Sequence, residues 1–101
     1  MADFIYLMHE AEPADPAAWQ AYIDGLNGKG VLRGGSAIGK GVCLRKDGPA
    51  PAISHHIVGY LRIEVVDMAA AQALLAGNPV YEAGGVIEVR ELPREVGPAQ
   101  D

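Results

Sequence analysis

The run from Ile57 to Val66 constrains this chain more than any other segment. Its odd positions are Ile57, Gly59, Leu61, Ile63 and Val65, and its even positions are Val58, Tyr60, Arg62, Glu64 and Val66. Successive side chains on a strand point to opposite faces. One face is therefore wholly apolar and has to be buried, while the other mixes charges with apolar groups. Residues 86–92 repeat the pattern, with Ile87 and Val89 on one face and Val86, Glu88, Arg90 and Leu92 on the other. Strands with two unlike faces belong in an antiparallel sheet that is covered on one side only.

The remaining segments supply the cover and the other strands. Residues 3–9 are a short apolar and aromatic run, read as a central strand because both of its faces are apolar. Asp15-Pro16 opens a helix, with Asp as N-cap and Pro at the first helical position. Trp19, Tyr22, Ile23 and Leu26 follow at helical spacing, and Gly28 and Gly30 supply the stop. Residues 31–38 read as a second strand with Gly34-Gly35 inside it, marking a bulge or a close backbone approach. Val42 to Arg45 reads as a short strand or hairpin arm turned by Asp47-Gly48-Pro49, with an irregular loop over 49–54. Asp67 caps a second helix expected from Met68 to about Ala76, which Gly77-Asn78-Pro79 ends.

The order is then β-α-β-β-α-β. This is an α+β chain of ferredoxin-like order, with a four-stranded antiparallel sheet and two helices on one face. At 101 residues it is one domain. The expected bounds are residues 1–93, with a loose polar tail over 94–101. So small a domain has a modest core, and association commonly adds buried area at this size.

Half of the residues are apolar and the net charge is −5, which disfavours nucleic acid or an anionic membrane as the main partner. Cys43 is the single cysteine, so no disulfide forms within the chain and a reducing compartment fits. The N-terminus lacks the pattern of a signal peptide, and no apolar run approaches the length of a membrane span. A cytoplasmic location is expected.

Several segments together resemble the YCII-related family. They are the opening strand and helix, Gly30-Val31-Leu32-Arg33-Gly34-Gly35, Asp47-Gly48-Pro49, Gly59 to Val65, Asp67, and Ile87-Glu88-Val89-Arg90. The resemblance covers residues 4–93 and is closest to the branch named for an Asp-Gly-Pro-Phe turn, within the dimeric α/β barrel superfamily. It implies a homodimer joined through the mixed face of the sheet. On the residues alone, that face fits water and a partner about equally. Two positions depart from the family. Ala50 stands where the Phe would follow Asp-Gly-Pro, and the helix that carries the family's proposed His–Asp histidine has no His here, Trp19 and Tyr22 occupying the region.

The strand order itself gathers chemistry. With strand three antiparallel to strand one, His9 and Glu10 neighbour His55 and His56, and residues 36–40 come to the same edge. His9 with His55 or His56 would form an acid–base pair oriented by Glu10. The plain alternative is that these are solvent-facing residues at a loop edge. No metal is expected. His55 and His56 are adjacent on an extended segment and face opposite ways. His9 with one of them makes two ligands, short of the three a catalytic zinc takes. Arg33, Ser36 and Tyr60 are candidate substrate contacts, Arg33 as a carboxylate holder or else as an edge-strand charge. Cys43 could act as a nucleophile beside a histidine, though an ordinary strand cysteine is the simpler reading. Trp19 and Tyr22 line a pocket or pack in the core.

Two functions follow as expectations. One is a small cofactor-free enzyme of lyase or isomerase type, moving protons on a small organic acid through His9, His55 and His56. The wider superfamily has such members, an analogy of fold alone. The other is a non-catalytic homodimeric domain that binds a small molecule or serves an accessory role.

Overall fold

A computed structural model describes residues 1–94 of the chain. The elements are β1 (Ala2–His9), α1 (Pro16–Gly28), β2 (Leu32–Ala37), β3 (Ile57–Val65), α2 (Met68–Ala73), α3 (Pro79–Glu82) and β4 (Ile87–Leu92). The four strands form one sheet in the order β2-β3-β1-β4, and every neighbouring pair is antiparallel. This is the ferredoxin-like arrangement that the two-faced strands required, with β1 in the interior beside both β3 and β4.

One face of the sheet is packed under the helices. Phe4, Tyr6 and Met8 of β1 and Leu61, Ile63 and Val65 of β3 are buried there with Tyr22 and Leu26 of α1, Ala71 of α2, and Leu75 and Val80. Two tyrosines tie the layers with polar bonds inside that apolar contact. The Tyr6 hydroxyl, fully buried, donates to the Ala71 carbonyl, and the Tyr22 hydroxyl donates to the Leu74 carbonyl at 2.8 Å. Burial drives both phenols above their usual pKa range and keeps them protonated as donors.

Caps fix the helix starts as the sequence suggests. The Asp15 carboxylate accepts from Ala17 N–H and the Asp67 carboxylate from Ala70 N–H. The second helix differs from expectation. It stops at Ala73, and a separate short helix α3 begins after Asn78. Its sequence position marks Asn78 as a stop, but its side-chain oxygen accepts from Val80 and Tyr81 N–H, and Pro79 takes the first helical position. The same Asn-Pro pair that ends one helix therefore begins the next.

The strand expected at Val42–Arg45 does not form. Residues 38–56 are an irregular loop, and only Ile53 in it is not exposed. Gly39, Gly41, Gly48, Pro49 and Pro51 interrupt it, and no strand lies beside it to take a ladder. The loose tail expected over 94–101 falls outside the described residues except for Arg94.

The uncovered face carries an ion-pair network. Arg94 bonds the Asp3 carboxylate at 2.6 and 2.9 Å and the Glu64 carboxylate at 2.5 Å, and Arg33 reaches Glu64 at 2.7 and 3.0 Å. Arg94 holds both carboxyls below their usual pKa, with Arg33 adding to the effect at Glu64. The sign of the linkage follows. A carboxyl depressed in the fold stabilises it above the unfolded value of about 4 and loses that contribution as pH falls through the lowered one. Urea midpoints should therefore drop between about pH 5 and pH 3, and Glu64→Gln should flatten that drop. An unchanged acid slope in Glu64→Gln would show that the network contributes nothing.

Candidate functional site

The register of β1 builds the site. Pairing with β3 runs evenly from Ala2 opposite Val65 to Met8 opposite Gly59, then shifts, so that His9 lies opposite Ile57. The His9 N–H donates to the Val86 carbonyl at 3.0 Å, and the Glu10 N–H to the His56 carbonyl at 2.7 Å. The end of β1 is thus clamped between the entrances of β3 and β4. Glu88, opposite Leu7 on the uncovered face, comes within reach of the imidazole.

His9 Nε2 lies 2.8 Å from Glu88 Oε2. An ionised carboxylate only accepts, so His9 donates from Nε2 and keeps Nδ1 as the lone-pair nitrogen of the neutral ring. The His9 bond, with Arg90 at 3.2 Å on the other oxygen, holds the Glu88 carboxyl below its usual pKa. The His56 ring meets His9 edge-on, with centroids 4.9 Å apart and planes at 73°. His9 and Glu88 are part-buried, whereas His56 is exposed.

Beside this group lies a cleft of about 550 Å³, within the range of small-molecule sites. Its walls come from the β1–α1 connection, α1, the ends of β2 and β3, and His9 itself. Trp19 and Ile23 are among its apolar lining residues, and Ser36 and Tyr60 among its polar ones. Among the described lining residues, Glu12 is the only Asp or Glu, and none is a Lys or Arg.

A search of curated proteins returns no match. A search of solved structures returns 5-chloro-2-hydroxyhydroquinone dehydrochlorinase from Burkholderia phenoliruptrix AC1100, solved with 2,5-dihydroxybenzoquinone. It shares 19% identity with this chain and has a TM-score of 0.60, over 94% of this chain and 96% of that one. At that identity the likeness shows the shared fold. The YCII-related domain model matches residues 5–94. This chain belongs to the YCII-related family.

The YCII-related fold brings some of the expected residues together and leaves others apart. His9 and His56 meet, and Ser36 and Tyr60 line the adjoining cleft. His55 is exposed and stands outside the cluster of His9, His56 and Glu88. Arg33 does not line the cleft. Its guanidinium is taken by Glu64 and by the carbonyls of Gly30 and Leu32. The partner that orients His9 is Glu88 rather than Glu10. That pairing was open to inference, since β4 flanks β1 in this strand order and Glu88 shares the uncovered face. Trp19 and Tyr22 divide the two roles expected of them. Trp19 lines the cleft, and Tyr22 is core. Cys43 is exposed on the loop.

Gly34 and Gly35 shape the cleft wall, each in its own way. Gly34 has φ +139° at the register shift of β2, a conformation that L side chains rarely adopt. Gly35 has ordinary angles, but a Cβ there would lie 2.5 Å from Leu61 Cδ2 and 2.6 Å from the Tyr60 carbonyl oxygen. The carbonyl is backbone and cannot yield. Gly35→Ala should therefore cost about 1–3 kcal/mol of stability, read by urea denaturation. A neutral substitution would show that β2 and β3 are looser than the close approach implies.

Proposed function

We propose that this YCII-related protein is a small enzyme that moves a proton on a ring-sized organic molecule held in the cleft. The observation that carries the reading is the His9–Glu88 pair at 2.8 Å on the cleft's border. Glu88 fixes the ring's orientation and tautomer, while Nδ1 is the nitrogen that accepts and returns the proton. Ser36 Oγ and the Tyr60 hydroxyl would meet the substrate's polar groups, and Trp19 and Ile23 its apolar face.

The lining refines the substrate class. Without a Lys or Arg in it, the cleft favours an enolisable or phenolic compound over a carboxylate. The small organic acid expected from the superfamily analogy therefore fits less well than a neutral hydroxylated ring. The dehydrochlorinase of the same fold was solved with 2,5-dihydroxybenzoquinone, a hydroxylated ring.

The test is solvent deuterium exchange. Enolisable and phenolic ring compounds that raise the melting temperature are incubated with the protein in D2O and followed by NMR. Enzyme-dependent exchange should fall about a hundredfold or more in His9→Ala, and Glu88→Gln should lower turnover while ligand binding persists. Exchange that survives His9→Ala would defeat the assignment. Binding without any exchange would favour the non-catalytic binding domain instead.

The protein is further proposed to act as a homodimer joined through the uncovered sheet face. That face mixes the charges of Asp3, Arg62, Glu64, Glu88 and Arg90 with Ile5, Leu7, Val58, Tyr60 and Val66. Val66 is 67% exposed. Light scattering after gel filtration should give twice the chain mass at micromolar concentration. A monomer there would overturn the sheet-on-sheet arrangement.

A further inference from the structure

The same register that pairs His9 with Glu88 also brings in His56. One ligand-type atom from each of the three residues lies within 4.8 Å of the others. Two imidazoles alone are too few for a catalytic-type zinc site, and Glu88 on β4 completes a set of three. We propose that His9, His56 and Glu88 together bind one divalent transition-metal ion of the zinc class.

The donor set selects the metal. Two imidazole nitrogens and one carboxylate oxygen suit Zn²⁺, Co²⁺ or Fe²⁺, and they are poor for Ca²⁺ or Mg²⁺, which take oxygen ligands. Three protein ligands are the number used by exchangeable, open zinc sites, which leave a position for water or a ligand. Metal–ligand bonds of about 2.0–2.2 Å require the three donors to close in on one centre. His9 and Glu88 already touch, so the movement falls mainly on His56, whose side chain is exposed and sits just before β3. Around the group, Arg90 occupies Glu88 Oε1 and leaves Oε2 toward His9. The backbones of His9 and His56 are fixed by the bonds to Val86 and from Glu10. Arg90 is the one cation on the carboxylate, and it works against the metal's charge without blocking Oε2.

When His9 Nε2 takes the ion, its proton passes by way of solvent to Nδ1, so the ring stays neutral and keeps no free lone pair. Metal-bound and proton-transferring states therefore exclude each other, and metal occupancy would silence the chemistry proposed for His9. The site stands on geometry alone, so it holds whether or not the enzyme reading does.

Cobalt is the probe. Apo protein titrated with Co²⁺ should develop visible d–d bands of a four- or five-coordinate site, saturating at one ion per chain and bleached by Zn²⁺. His9→Ala, His56→Ala and Glu88→Gln should each weaken binding about tenfold or more. His55→Ala should leave it unchanged. Glu88→Gln is close in shape, and circular dichroism reports whether each variant is folded. Absence of the bands in folded wild-type protein overturns the proposal. So does retention of the bands in His9→Ala, and so does equal weakening by His55→Ala, which would mark a surface histidine pair rather than this cluster.

Discussion

Everything in this fold hangs on β1 being held from both sides at once. It pairs with β3 over eight residues and with β4 over six, and its alternation sends Phe4, Tyr6 and Met8 into the core. A slip of one residue would turn those three toward the uncovered face and bring Ile5 and Leu7 under the helices. The Tyr6 hydroxyl adds a polar constraint to that register. Its acceptor is a single carbonyl on α2, so strand and helix must agree in position as well as in polarity. The Tyr22 hydroxyl does the same for α1 against the residue that closes α2.

The site is a product of where that register breaks. Up to Met8 and Gly59 the ladder is regular, and the shift at His9 leaves Val58 unmatched on the β3 side. The chain leaving β1 must then bond to whatever is near, and it finds the carbonyls of Val86 and His56. Those bonds set His56 and Glu88, from two distant parts of the sequence, around the His9 imidazole. Chemistry at a strand end can be placed this accurately because backbone bonds, not long side chains, fix the approach. The ion pairs of the uncovered face contribute differently. Asp3, Glu64, Arg33 and Arg94 pair at the surface, in partial contact with water, where ion pairs contribute little to the net stability of a fold.

Most of the fold was legible because its signals are periodic and local. The alternation of Ile57–Val66 named the buried face correctly, and the Asp15-Pro16 and Asp67 caps started helices where they stand. Two kinds of feature were not legible. Val42–Leu44 has strand-like composition, but a strand exists only with a neighbour to bond, and the sequence does not display neighbours. Asn78-Pro79 carries two meanings at once, stop and start, and only the packing of Val80 against the core selects the second. At the site, the meeting of His9 and His56 followed from strand order. Glu88 on its own reads as one more charge on the mixed face of the sheet. Its partner lies across a strand pair whose register the sequence leaves open. Arg33 misled for the converse reason, since Glu64 on the neighbouring strand takes its guanidinium away from the cleft.

A sheet covered on one face leaves a balance to be met on the other. Val58, Val66 and Val86 are exposed at 37%, 67% and 55% of their area, and Val42 and Leu44 on the β2–β3 loop at 76% and 85%. Single exposed apolar side chains need no explanation, but these sit on one face and on the one long loop beside it. Most of the charges among them are paired within the chain, Arg33 and Arg94 with Glu64 and Asp3, and Arg90 and His9 with Glu88. A face whose charges are neutralised internally costs less to remove from water than one with open charges. The His9–Glu88 pair belongs to that same internally neutralised set. Covering the face would therefore strengthen the electrostatic hold of Glu88 on His9 by excluding water around it. A partner on that face and the chemistry proposed for the histidine edge would thus be joined through one sheet surface.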